Sequence, residues 1–160
     1  MPIDETEKLP QNIQHLLMEI GEKSVLFRLY LLTKSTGWEV YQNLGESGCD
    51  LILLNSKSGD KIKIEVKTRQ RLYTTSKNAV GTVHFTLTEN EYKNCNFLVA
   101  YWVENNFFFI VPKHDLKPMK SNEKTLYKFI VRENKIGTLD SNSQHYLNDW
   151  KPILEAIGAS

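Results

Sequence analysis

An aspartate, Asp50, followed across a turn by Glu65-Val66-Lys67, is the part of this sequence best equipped to do chemistry. Glu65 and Lys67 close the run Lys61-Ile62-Lys63-Ile64-Glu65-Val66-Lys67, in which charged and branched apolar residues alternate. Such alternation predicts a strand. Side chains two apart on a strand share a face, so Glu65 and Lys67 project side by side while Ile62, Ile64 and Val66 take the opposite face. Two carboxylates suit a hard divalent cation such as Mg²⁺, which keeps its other positions for water and phosphate oxygens. An ammonium beside them steadies a water nucleophile or the charge that gathers on phosphorus. The pattern is that of metal-assisted phosphodiester hydrolysis.

Those residues need elements to hold them. Residues 38–42 alternate and read as a strand, 43–49 as a Gly-containing loop, 50–54 as a short apolar strand and 55–60, with Ser58-Gly59, as a hairpin turn into the strand 61–68. Three successive antiparallel strands follow. Neighbouring strands lie about 5 Å apart, so the hairpin brings Asp50, at one strand's start, toward Glu65 and Lys67 at the other's end. Upstream, Ile13, Leu16, Leu17, Ile20, Val25, Leu26, Leu29 and Leu32 recur at helical spacing over 11–34, with an interruption expected near Gly21 and a stop at Gly37. At 100° per residue Glu22 falls inside the arc of Val25, Leu26, Leu29 and Leu32. A carboxylate on a core-facing stripe is costly unless paired or metal-bound. Glu19 sits at the stripe's edge.

Beyond the site, residues 69–82 form a basic, hydroxyl-rich loop in which Arg69, Arg71 and Lys77 are candidates for holding phosphates. Residues 83–87 read as a short extended segment. Thr88 and Glu91 make a capping box that opens a short helix. Residues 96–103 and 107–111 flank Glu104-Asn105-Asn106 as a hairpin. Residues 113–125 read as loop with a helical turn, 126–131 as a strand, and 143–157 as helix, kinked or split at Pro152. His15, His84, His114 and His145 are scattered without ligand spacing.

At 160 residues the chain is expected to be one domain, and 41% hydrophobic with 24% charged residues is ordinary for a soluble globular protein. A formal charge of +1 neither supports nor excludes a nucleic-acid partner, because that partner needs a basic face rather than a basic total. No apolar run reaches membrane-spanning length, and the polar, acidic first nine residues carry no signal-peptide pattern. Cys49 and Cys95 are too few for a disulfide framework or a zinc site, which points to a reducing cytoplasm.

Gly21-Glu22, Gly37-Trp38-Glu39-Val40-Tyr41, Cys49-Asp50-Leu51-Ile52-Leu53 and Ile64-Glu65-Val66-Lys67-Thr68-Arg69 together resemble the PD-(D/E)XK nuclease superfamily, which includes restriction enzymes, Holliday-junction resolvases, repair nucleases and homing enzymes. Cys49 stands where the family pattern has proline. The resemblance implies an α/β fold with a restriction-endonuclease-like αβββαβ core, a central mixed sheet flanked by helices. It implies a single nuclease-like domain over 1–160, made of a loose arm (1–10), a core (11–111) and a C-terminal extension (112–160). It makes Asp50 and Glu65, with the backbone carbonyl of Val66, ligands of Mg²⁺ (or Mn²⁺), Lys67 the catalytic lysine and Glu22 the helix acid. It implies a DNA endonuclease whose metal-activated water attacks phosphorus. Because cutting a duplex engages two strands and 160 residues is small, a homodimer is expected, contacting through strands 97–111 or the helix around Trp150. The alternative reading is a non-catalytic nucleic-acid-binding or assembly module that retains the fold, and a blander one makes the three charged groups mere surface residues.

Overall fold

The computed structural model describes residues 10–45, 48–69, 73–74, 81–135 and 138–158. The first helix, α1 (Gln11–Thr33), runs without a break through Gly21 and is followed by the antiparallel strands β1 (Trp38–Gln42), β2 (Leu51–Asn55) and β3 (Lys61–Arg69). The two-residue strand β4 (Tyr73–Thr74) and then β5 (Gly81–Thr88) lead to α2 (Glu89–Lys93) and the hairpin of β6 (Phe97–Trp102) and β7 (Phe107–Pro112). β8 (Lys117–Ser121), β9 (Lys124–Lys135), β10 (Thr138–Leu139), α3 (Ser141–Tyr146) and α4 (Lys151–Ala156) complete the chain.

Two sheets result. The first has the order β1-β2-β3-β6-β7, with β3 and β6 parallel and every other pair antiparallel. The second has the order β10-β9-β5-β4, with β8 also paired to β9. The alternation that defines β3 decides what lies on each side of the first sheet. Ile62, Ile64 and Val66 join Val25 and Leu29 of α1, and Ile153 and Ile157 near the chain's end, in one apolar cluster. Leu98, Ala100, Phe109 and Val111 on the other face meet Val83, Phe85, Phe129 and Val131 of the second sheet. α1 with α4, the mixed sheet, and the second sheet with α2 and α3 thus form three layers. Among the described residues no helix is long and apolar enough to cross a membrane.

Several elements differ from the sequence expectation, each for a physical reason. Gly21 does not interrupt α1. It lets the helix touch β3, since a Cβ there would stand 1.7 Å from Thr68 Oγ1. Gly21→Ala is therefore expected to destabilise the fold by about 1–3 kcal/mol in denaturant melts, with Thr68→Ala restoring part of the loss. Ile13, Leu16 and Ile20, part of the apolar repeat, are 40–49% exposed, so only the later turns of α1 reach the core. Residues 117–121 are a strand rather than loop: Pro118 signals against it, but β8 is an exposed edge, where proline is tolerated. Asn122 and Glu123, both with positive φ, make the turn into β9. The 143–157 segment is two helices, α3 and α4, with Pro152 in the first turn of the second.

Candidate active site

The site begins with register. Leu51 pairs with Ile64, and the Asp50 N–H donates to the Ile64 carbonyl at 3.1 Å, so Asp50 stands opposite Glu65 where β2 starts. One carboxylate oxygen of Asp50 accepts the Val66 N–H at 2.8 Å. Carbonyls alternate sides along a strand, so that of Val66, two residues on from Ile64, points to the same side, past the start of β2 and beside Asp50. Glu65 and Lys67 share the face turned toward the second sheet, and Glu65 is only 4% exposed. Lys67 Nζ lies 3.7 Å from Glu65 Oε1.

Glu22 enters from α1. Its Oε2 accepts from Gln42 Nε2 at 3.3 Å, at the end of β1. Burial first, then the negative charge of Asp50, hold the Glu22 carboxyl above its usual range, against the Gln42 hydrogen bond. The core-facing arc thus delivers Glu22 to Asp50's neighbourhood through the close Gly21–Thr68 approach, which seats this turn of α1 on β3. Glu22 neighbours Asp50, Asp50 neighbours Glu65 and Glu65 neighbours Lys67, so the four make a row at this one end of β2 and β3.

A fifth residue completes the cluster. Glu91, in the first turn of α2, accepts from Lys67 Nζ at 2.6 Å through Oε2 and from the Thr88 N–H at 2.9 Å through Oε1, while Thr88 Oγ1 accepts the Glu91 N–H. The capping box read from the sequence is present, yet its glutamate is also the lysine's partner. Glu65 and Glu91 share a hydrogen bond. Burial, then that bond, then the Asp50 charge push the Glu65 carboxyl up to about 10. Burial works against the charged form of Glu91, but its bonds with Glu65 and Lys67 outweigh this and hold it below the usual carboxylate range. Glu65 therefore keeps the proton and Glu91 the charge that answers Lys67.

Carboxylate and carbonyl oxygens are the donors that suit a hard cation. Among the described residues no three Asp, Glu, His or Cys side chains are gathered as a ready ligand set. Asp50, Glu65 and the Val66 carbonyl offer two carboxylates and a backbone oxygen, in keeping with an ion that retains several waters. A buried carboxyl facing another acid is also what a bound cation would most readily deprotonate.

Arg69 is the last residue of β3 rather than part of a loop. Its Nε donates to the His84 carbonyl at 3.2 Å and its Nη1 to the Thr68 carbonyl at 2.9 Å, with the guanidinium 6.0 Å from the Phe85 ring centroid. Arg71 and Lys77 lie outside the described residues.

Two solved structures share this architecture. A bacterial homing endonuclease matches with a TM-score of 0.57 over 89% of this chain and 93% of its own, at 20% identity. The Holliday junction resolvase Hjc of Archaeoglobus fulgidus matches with a TM-score of 0.54 over 89% of this chain and 96% of its own, at 14% identity. The chain shares the fold of these two structures. No family model matches it, and no curated protein matches it by sequence. The restriction-endonuclease-like core implied by the sequence motifs is therefore the one the chain adopts, with a mixed sheet between helices and a second sheet. In this nuclease fold the acidic cluster lies where β2 and β3 open beside α1 and α2. A separate cavity of about 500 Å³, lined by Tyr30, Trp38 and Tyr41 among others, includes none of the cluster's residues.

Proposed function

We propose that the protein is a Mg²⁺-dependent DNA endonuclease, with Mn²⁺ as a substitute ion. The observation that carries this reading is the meeting of Asp50 and Glu65 across the β2–β3 ladder with Lys67 beside them, inside a nuclease fold. Asp50, Glu65 and the Val66 carbonyl would hold the cation. When bound, it neutralises phosphate charge and favours departure of the 3′-oxygen. Asp50 is held at the strand's start by the Val66 N–H. Lys67, held in place by Glu91, orients the attacking water and answers charge on phosphorus. Glu22, held by Gln42, faces the same space and can receive a hydrogen bond from a water there. Arg69, at the end of the strand, lies along the path of a phosphate chain leaving the site.

Two broader features belong to the same proposal. Two free, buried cysteines suit a reducing compartment, so we place the protein in the cytoplasm. Cutting both strands of a duplex calls for two sites, hence a homodimer. For that contact we look to α1, where Leu16, Phe27 and Leu31 are 49–60% exposed. β6 and most of β7 are buried within their own chain, while the half-buried Trp150, 5.7 Å from the Phe108 ring, leaves the start of α4 as a second candidate contact.

Supercoiled plasmid incubated with Mg²⁺ or Mn²⁺ tests the reading. Nicking by the wild type, lost in Asp50→Ala and Glu65→Ala and abolished by chelation, is the expected result. Sedimentation of the same sample reports the copy number. Binding without cleavage under either metal would favour the non-catalytic module, and full activity in Glu65→Ala would reject the mechanism.

A further inference from the structure

The second sheet has an outward face that catalysis does not use. β5 buries Val83, Phe85 and Leu87 against the first sheet, so the alternate residues His84 and Thr86 point away from it. Across the ladder Thr86 pairs with Lys128, and Thr82 pairs with Arg132. On the other side of β9, Lys117 of β8 pairs directly with Lys128. Lys117, Lys128 and Arg132 therefore occupy one face of the same sheet. β5, β8 and the outward positions of β9 contain no carboxylate. Among the described residues none of the three side chains forms an ion pair.

This arrangement costs energy in the isolated protein, because like charges directly opposite one another on a ladder repel. The crowding of positive charge is felt by a neighbour: burial first, then Lys128 and Arg132, hold the His84 imidazole below its ordinary range. β5 is also tied to the strand that holds the site. The His84 carbonyl accepts from Arg69 Nε, and Arg69 is two residues beyond Lys67 on β3. A row of anions spaced along a rod would turn the repulsion into attraction, and a nucleic-acid duplex presents such a row.

We propose that the outward face of the second sheet, through Lys117, Lys128 and Arg132, is a docking surface for the phosphate backbone of duplex DNA flanking the scissile bond. The inference rests on the endonuclease reading for its choice of DNA. Its contacts position the duplex and carry no sequence information, since they reach phosphates rather than base edges.

The test is binding rather than cleavage. Fluorescence anisotropy of a labelled DNA duplex in EDTA, at about 100 mM salt, compares the full-length wild type with a Lys117→Ala/Lys128→Ala/Arg132→Ala triple variant. A control triple variant, Lys34→Ala/Lys57→Ala/Lys151→Ala, removes the same charge from exposed positions elsewhere. The expected result is a loss of affinity of at least about 10-fold in the sheet variant, with the salt dependence of log K shallower by about 2–3, and less than about 3-fold loss in the control. Circular dichroism confirms that both variants fold. Equal affinity in the sheet variant and the wild type, or equal losses in both triples, would overturn the inference. Either outcome leaves the active-site reading standing, because that is judged by Asp50→Ala and Glu65→Ala cleavage. If the sheet variant binds a single-stranded RNA or anionic vesicles as poorly as it binds duplex DNA, while the wild type prefers either over the duplex, the choice of partner is overturned.

Discussion

Lys67→Met is expected to lower DNA cleavage by about 10²–10⁴-fold at saturating metal, with little change in stability. The substitution keeps the length and apolar stem of the side chain and removes only the ammonium. Lys67 is about one-fifth exposed and reaches two acids, Glu91 at 2.6 Å and Glu65 at 3.7 Å. It is therefore held in place before substrate arrives, and charge developing on phosphorus meets a cation that need not reorganise. Lys67→Arg should not restore the rate, because a planar guanidinium cannot substitute for a point charge in a pocket shaped around one. Glu91 enters as a positioning residue. Glu91→Gln preserves shape and the bond to the Thr88 N–H but weakens the hold on Lys67, and the expected loss is about 10-fold in kcat with KM nearly unchanged. Glu91→Ala also removes half of the capping box, so it should lose about 0.5–1 kcal/mol of stability in addition. Single-turnover rates and denaturant melts of the four variants separate the two effects. A Lys67→Met protein as active as the wild type would remove the lysine from the mechanism.

Much of this site could be read in the sequence because its geometry is local. β1, β2 and β3 are joined by short turns, so alternation and turn chemistry alone bring Asp50 opposite Glu65. The helical arc that includes Glu22 needs only the 3.6-residue period. The second sheet was far less legible. β5 pairs with β9 across about forty residues, and no local signal specifies so distant a partner. β8 is exposed at all five positions and contains Pro118, so it lacks both the alternation and the composition of a strand. Glu91 was visible only as a cap, since a sequence pattern assigns a carboxylate one local partner, whereas its second oxygen bonds a lysine 24 positions away. Arg69 looks like the start of a loop in the sequence because nothing in its neighbours marks the parallel partner, Trp102, that extends β3 to include it.

Replacing Glu65 by glutamine is expected to flatten the protein's response to pH and to abolish its response to metal. In the metal-free fold the Glu65 carboxyl is pushed up to about 10, whereas in the unfolded chain it titrates near its ordinary 4.5. Between those values the folded state holds a proton that the unfolded state has released, so the contribution of Glu65 to stability is fully present below about 4.5 and falls as pH rises toward about 10. One proton corresponds to at most about 1.4 kcal/mol per pH unit, so the metal-free wild type should lose up to about 3 kcal/mol between pH 6 and 8 through this group. Glu22, also raised, acts in the same direction, and Glu91, lowered, contributes only as pH falls below the ordinary carboxylate range. A cation needs the ionised carboxylate, so Mg²⁺ should stabilise the wild type more at pH 8 than at pH 6 and release a proton on binding. Glu65→Gln retains a hydrogen-bonding group of the same shape but has no proton to lose. It should be more stable than the wild type at pH 8 without metal, show a much flatter pH profile, and gain nothing from Mg²⁺. Chemical denaturation at pH 6, 7 and 8 with and without Mg²⁺, together with calorimetry in buffers of different ionisation enthalpy, measures all three. A wild type that grows more stable with pH in the absence of metal would mean that Glu65 is already ionised in the fold, and the acid cluster would then need a different balance of charge around Lys67.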